Sequence, residues 1–286
     1  MTASLTEHAP AKINLTLRIV GRRADGYHEL ESLVGFAGIA DTLSLVPDTE
    51  TTLDIGGPYA AVCGPGADNL VLKAVDALHA RIPELTGGRF KLEKSLPVAA
   101  GIGGGSADAA AALRLLARTN GVAPHDPRLL DAAKATGADV PVCVEPRPRV
   151  MRGVGEVLSS PVSLPRLPAI LVNPRVALST RDVFTAFAGM KSSDKPLPEI
   201  PRDAKSLLAL LAAHGNDLEP AAVRCAPVVG EVLRALEALP EVKLTRMSGS
   251  GSTCFALFAS ADHAKAAARQ LSAARPAWWV EATVIG

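Results

Sequence analysis

From Ala11 to Val20 the chain alternates, with Ile13, Leu15, Leu17 and Ile19 on one face and Lys12, Asn14, Thr16 and Arg18 on the other. A period of two reads as a half-buried strand, with Lys12 and Asn14 together on its polar face. The stretch from Arg22 to His28 turns on Asp25-Gly26, a strong turn dipeptide. Apolar stretches through Leu33 and Phe36 and from Thr42 to Val46 complete an antiparallel opening sheet. Leu70, Val71, Ala74, Val75 and Leu78 recur at helical spacing, which predicts a helix over 68–81 capped by Asp68 or Asn69. Phe90 to Lys94 reads as a strand and Leu129 to Thr136 as a short helix. GADVPVCV, residues 137–144, sets Asp139 between a glycine-led turn and an apolar strand.

Prolines at 146, 148, 161, 165 and 168 then punctuate the chain and divide it into lobes of residues 1–164 and 165–286. The second lobe reads as a strand at 169–172, helices at 180–187, 206–213 and 227–239, strands at 243–247 and 253–259, a helix at 261–274 and a last strand at 278–285. Lys191 to Asp203 is a polar, proline-rich loop expected to be mobile. The class is α+β.

The stretch that organises these elements is PVAAGIGGGSADAAAALRLL, Pro97 to Leu116. Glycines let the backbone approach a ligand closely, and the alanine-rich segment that follows has high helix propensity. A helix start offers unpaired N–H donors and the positive end of a dipole, so the combination favours bound phosphate. No lysine follows the glycines, which excludes a P-loop, and Ser106 stands where a dinucleotide fingerprint wants its third glycine. A glycine turn with Ser106 as an ordinary helix cap also fits these residues.

Composition narrows the partners. Across 286 residues, 30 basic and 29 acidic side chains leave a formal net charge of +1, so no global field draws the chain to nucleic acid or an anionic membrane. Aromatics at 3% argue against a base-stacking surface. Cys63, Cys143, Cys225 and Cys254 lack CxxC spacing, which disfavours a zinc site or a disulfide framework and suits free thiols. The first residues, MTASLTEHAP, show no secretory pattern, and no apolar run approaches membrane-spanning length, so a cytoplasmic protein is expected.

Four features converge: a strand lysine at Lys12, the aromatic–histidine turn at Tyr27-His28, the glycine-led helix start, and Asp139 after a small-residue turn. Phosphoryl transfer uses such parts, namely a phosphate cradle, positive charge near the transferred group, and a carboxylate to take the hydroxyl proton. Each part alone has a plainer explanation. Lys12 fits a solvated strand lysine, Asp139 a turn residue, His28 a packed histidine, and SGSGS at 248–252 a flexible turn. Asp108 suits the helix dipole, yet it repels a phosphate unless a cation intervenes.

PVAAGIGGGSADAA resembles the central phosphate motif of the GHMP kinases, the galactokinase, homoserine, mevalonate and phosphomevalonate kinase superfamily. PAKINLTL at 10–17, RRADGYHEL at 22–30, GADVPVCV at 137–144, RGVGEVL at 152–158, NDLEPA at 216–221 and MSGSGSTCFALF at 247–258 resemble, in order, the blocks of the branch whose acceptor is a cytidine diphosphate-linked methylerythritol. The resemblance implies a two-lobed fold, with a mixed or antiparallel N-terminal sheet lobe and a ferredoxin-like C-terminal lobe. It implies Lys12 and Asp139 as the catalytic pair, with Asp139 the base on the acceptor hydroxyl and Lys12 stabilising developing charge. It implies that Asn14, Tyr27, His28 and Phe184 bind the cytidine end.

By the same resemblance, Gly101, Ile102, Gly103, Gly104, Gly105, Ser106 and Ala107 wrap the ATP phosphates, while Asn69, Lys94 and Pro97 lie toward the nucleotide. ATP and Mg²⁺ are the implied cofactors, with no resident metal site, no nucleic acid, no membrane, and a monomer or homodimer. Ala100, Ala107 and Glu145 depart from the family pattern, away from the proton transfer. Competing readings are another GHMP small-molecule kinase and a catalytically silent nucleotide-binding regulator.

Overall fold

The computed structural model describes residues 4–24, 26–63, 68–187 and 195–286. The expected turn residue Asp25 and the first part of the expected loop at 191–203 lie outside these residues. The chain forms two compact units. One is drawn from Met1–Ala11, Ile39–Val98 and Gly103–Pro146, and the other from Lys12–Gly38, Ala99–Ile102 and Arg147–Gly286.

In the first unit, β5 (Gly88–Glu93) lies between the end of β3 (His28–Pro47) and β4 (Thr52–Gly56), antiparallel to β3 and parallel to β4. Phe90 and Leu92 alternate inward on β5, opposite Leu45 and Leu43. In the same unit the chain builds α1 (Leu70–His79), α2 (Gly104–Thr119), α3 (Pro127–Thr136) and α4 (Val140–Val144), which pack on one another. The run Ala109 to Leu113 on α2 is fully buried, because alanine surfaces let α1, α3 and α4 close on several sides of one helix. Asn69 caps α1 by accepting from Val71 N, and Asp126 caps α3 by accepting from Arg128 N.

In the second unit, β2 (Arg18–Arg22) and β6 (Arg149–Gly153) pair antiparallel with the start of β3, and β7 (Val157–Leu158) closes a hairpin on β6. Four further strands form an antiparallel sheet in the order β11 (Trp279–Ile285), β8 (Leu167–Asn173), β10 (Cys254–Phe258), β9 (Val242–Met247). Helix α8 (Pro227–Glu237) joins β8 to β9 after α5 (Thr180–Phe187), α6 (Ala204–Ala213) and α7 (Glu219–Cys225), and α9 (Ala261–Ala274) joins β10 to β11. That strand order, with four helices in the first crossover and one in the second, is the expected ferredoxin-like arrangement. Every residue of β10 is buried, and Ala256 and Phe258 pack with Val229, Val232 and Leu236 of α8 and Leu271 of α9.

The expected strand at 11–20 is two strands, because β1 (Leu5–Asn14) ends before β2 begins at Arg18. Its expected polar face is buried: Lys12 and Asn14 are each only 3% exposed. Alternation signals one wet face, but the last four residues of β1, Ala11 to Asn14, are covered on both. The stretches at 33–36 and 42–46 belong to one 20-residue strand, β3. Residues 140–144 are helical instead of extended: a short apolar run does not discriminate the two, and Pro141 fits a first helical turn. Helix α7 carried no clear signal in the sequence.

Candidate active site

Two loops of the second unit interlock around Gly101. Its φ is +74°, and a Cβ there would meet the carbonyl oxygens of Ser248 and Gly251 at 2.5 and 2.6 Å, so only glycine fits. Ser248 Oγ donates to Gly101 O at 2.9 Å, Thr253 N donates to Ala100 O at 3.0 Å, and Lys12 N donates to Ile102 O at 2.9 Å. The SGSGS turn is thus a brace for the glycine loop. It is itself held from behind by Asn216, whose Nδ2 donates to Met247 O and Gly249 O at 2.8 Å each, and by Glu219, whose Oε2 accepts from Met247 N at 2.8 Å. Burial pushes the Glu219 carboxyl up. NDLEPA was visible only as a block of resemblance, and the bracing roles of Asn216 and Glu219 had no sequence signal of their own.

In the first unit, Gly103 at φ +62° is the residue from which α2 starts, and Ala107 N closes the first turn on Gly103 O at 2.8 Å. Gly103, not Ser106, is therefore the cap. Gly105 is exposed, Ser106 half-buried, and Ala107, Ile102 and Pro97 are buried. Beneath this turn lies an ion cluster. Lys94 Nζ donates to Asp108 Oδ2 at 2.7 Å and to Asp41 Oδ2, with all three side chains almost fully buried. Burial would push the Lys94 ammonium down, but the two carboxylates outweigh it and hold its pKa above the usual value. Burial, opposed by Lys94 and aided by Asp41, pushes the Asp108 carboxyl up to about 7. The side chain of Lys94 is thus turned inward, and Asp108 does not fit a divalent cation, which would sit beside a buried ammonium. Among the described residues no group of three His, Cys, Asp or Glu side chains is placed to hold a metal ion.

Asp139 stands half-buried immediately before α4. Helix α4 is fastened to α2 by Arg114, which donates to Cys143 O at 2.8 Å and pairs with Glu7 at 2.9 Å. Lys12 is buried on β1. Asn14, two residues on, donates through Nδ2 to Ser32 Oγ at 2.8 Å and through its backbone N–H to Ser248 Oγ at 3.1 Å, and its buried Oδ1 has no partner among the described residues. His28 at the start of β3 stacks on Phe184 of α5, with 5.0 Å between centroids, and meets Phe187 edge-on at 6.1 Å. Burial, then the charge of Arg22, lowers the His28 pKa, which favours the neutral ring. Tyr27, next to His28 in the chain, is 65% exposed. Asn69 is occupied in capping α1.

The family model of the GHMP kinases N terminal domain matches residues 69–146, and that of the GHMP kinases C terminal matches residues 196–277. A 4-diphosphocytidyl-2-C-methyl-D-erythritol kinase of Rhodopseudomonas palustris (strain BisB5) is 57% identical over 293 residues, covering 99% of each chain. The chain belongs to this family of GHMP kinases. A family member from Xanthobacter autotrophicus is 55% identical over 97% of each chain. Among solved structures, a 4-(cytidine 5'-diphospho)-2C-methyl-D-erythritol kinase matches 99% of both chains with a TM-score of 0.81 and 35% identity. The Leishmania major mevalonate kinase solved with R-mevalonate shares the GHMP kinase fold at a TM-score of 0.69, with 16% identity over 100% of this chain and 97% of its own. As a GHMP kinase the protein is a phosphotransferase that uses ATP. Among the described residues no helix is long and apolar enough to cross a membrane.

Proposed function

We propose that this kinase transfers the γ-phosphoryl group of ATP to the 2-hydroxyl of 4-diphosphocytidyl-2-C-methyl-D-erythritol, a step toward isoprenoid precursors. The observation that carries the reading is full-length identity of 57% to a relative bearing that name, on a chain whose glycine loop is braced for close approach by a ligand. The reading keeps two lobes, 1–164 and 165–286, and its support is one family model at residues 69–146 and another at 196–277.

The chemistry asks little covalent work of the protein. The acceptor oxygen attacks the γ-phosphorus in line, the bond from phosphorus to the β,γ-bridging oxygen breaks, and ADP leaves with that electron pair. Asp139 takes the hydroxyl proton, and the Lys12 ammonium orients that hydroxyl and offsets negative charge as it develops. Gly101, Ile102, Gly103, Gly104, Gly105, Ser106 and Ala107 supply backbone N–H groups and the positive end of α2 to the phosphates. Pro97 leads into that loop, and Asn69 and the backbone at Lys94 lie toward the nucleoside. Mg²⁺ brought with ATP would offset part of the phosphate charge, and Asp41 and Asp108, both paired with Lys94, do not fit as its ligands.

At the acceptor end, the neutral His28 ring supplies one donor and one acceptor to a base edge, Phe184 and Tyr27 supply ring faces, and Asn14 keeps an open acceptor in Oδ1. The reading is of a cytoplasmic enzyme working on a small molecule, as monomer or homodimer, with neither nucleic acid nor membrane engaged. Purified protein given ATP, Mg²⁺ and this acceptor is expected to release ADP and a singly phosphorylated product. Release of ADP with mevalonate or homoserine and none with this acceptor would overturn the assignment.

A further inference from the structure

Both ends of the glycine loop are tied to one buried group. At its start, Asp41 Oδ1 accepts the backbone N–H groups of Ser95 and Leu96 at 2.6 and 2.8 Å. At its end, Asp108 sits one turn into α2 and binds Lys94 at 2.7 Å. Lys94 closes the link by pairing with Asp41 as well, and the Cα of Gly104 lies so close over this ammonium that a Cβ would stand 3.1 Å from Nζ. We propose that Asp41, Lys94 and Asp108 form a positioning cluster, fixing the spacing between the chain that leads into the glycine loop and the first turn of α2 so that loop N–H groups converge on the ATP phosphates.

The inference deepens the function proposed above and rests on it for the identity of the ligand. None of the three side chains needs to touch nucleotide. A salt bridge buried this completely is poor evidence of stabilisation for its own sake, because desolvating the charges offsets most of what their attraction returns. A role in holding geometry accounts for it better. The placement of Asp41 on β3, of Lys94 after β5 and of Asp108 on α2 makes one ammonium the junction of a sheet and a helix, and the loop spans the gap between them.

The test measures ATP affinity by calorimetry without acceptor, and KM for each substrate, in the unaltered protein and in Lys94→Met, Asp108→Asn and the double variant. Loop misplacement is expected to weaken ATP binding about tenfold to a hundredfold in each single variant, with acceptor KM held within about twofold. Because both changes act through one contact, the double variant is expected to be no worse than Lys94→Met alone. Asp41→Asn keeps an acceptor for Ser95 and Leu96 and is expected to be milder than Asp41→Ala.

Unchanged ATP affinity with only a lowered Tm, a proportional rise in both KM values, or multiplying effects in the double variant would overturn the proposal. Should Lys94→Met fail to fold, Asp108→Asn, which has the same size, carries the same comparison of the two KM values. An unaltered protein that binds ATP but transfers nothing to the methylerythritol acceptor would overturn the acceptor reading and leave this test standing.

Discussion

The imidazole of His28 stacks on the ring of Phe184, with 5.0 Å between centroids and 28° between planes, although 156 positions separate them in the chain. The first residue of a strand and a helix residue far downstream meet only because the start of β3 and α5 share one unit. Burial lowers the His28 pKa, which favours the uncharged ring with one donor and one acceptor. That suits an uncharged heterocycle better than a phosphate.

Phe184→Ala removes one wall of the stack, and His28→Ala removes the polar edge. Each is expected to raise acceptor KM roughly tenfold to a hundredfold, the effect of about 1–3 kcal/mol of lost stacking. ATP KM is expected to stay near its starting value. Steady-state kinetics with each substrate varied in turn checks this, and an equal rise in both KM values would remove His28 and Phe184 from the acceptor site.

Asp139→Asn keeps volume and hydrogen-bonding reach but cannot take a proton. Turnover is expected to fall about 10²–10⁴-fold, the usual contribution of a positioned general base. Thermal unfolding is expected to change little, since Asp139 is only half-buried and asparagine keeps its shape. Rapid-quench measurement of product separates slowed chemistry from slowed release. Full activity in this variant would leave the proton with another acceptor.

The glycine loop, the helix it starts, and most of the C-terminal α/β alternation were legible because each carries a local signal. PVAAGIGGGSADAA sets glycines directly before a run of strong helix formers, and α9 and β11 lie within a residue of where periodicity puts them. What local pattern could not show was burial on the second face. Lys12, Asn14 and Thr16 read as a wet stripe, and the structure covers them, because a strand with both faces packed still alternates when its polar residues have partners. The resemblance sets Lys94 toward the nucleotide but says nothing of its ammonium, which faces Asp41 and Asp108, residues that lie 53 and 14 positions away and leave no sequence signature as a group. Asn216 behind the SGSGS turn was hidden for the same reason.

Acid stability has a specific candidate in Glu31. Its Oε1 accepts from Leu197 N at 2.8 Å and from Arg18 at 3.1 Å, and its Oε2 accepts from Arg152 at 3.0 Å. Burial alone would raise the Glu31 pKa, but the Leu197 N–H and the two guanidinium groups outweigh it and hold the carboxyl below the usual glutamate value. A carboxylate whose pKa is lowered on folding contributes stability above its unfolded pKa and loses it as pH falls through the folded one. Glu31→Gln is therefore expected to cost about 1.5–3 kcal/mol at neutral pH. The gap to the unaltered protein is expected to close on acidification through the carboxylate range. Urea unfolding at stepped pH measures the gap, and one that stays constant down to acid pH would show that the Glu31 charge does not stabilise the fold.

Gly101→Ala tests the brace between the two loops. A Cβ at that position would lie 2.5 Å from Ser248 O, 2.6 Å from Gly251 O and 2.8 Å from Gly251 N, all of them backbone atoms that cannot rotate away. Its φ of +74° adds a conformational cost of about 1 kcal/mol for any residue with a side chain. The SGSGS turn must therefore move, and with it go the bonds from Ser248 Oγ to Gly101 O and from Thr253 N to Ala100 O. Because Ser248 Oγ also accepts from Asn14 N, the disturbance reaches the strand that carries Lys12. The variant is expected to lose turnover and ATP affinity together, with Tm lowered, whereas Gly121→Ala, equally left-handed but with open space around its Cβ, is expected to lower Tm without altering either KM. Calorimetric ATP titration and thermal unfolding of the two variants side by side decide between a loop that must stay interlocked and one that merely needs flexible backbone; equal behaviour of both would refute the interlock.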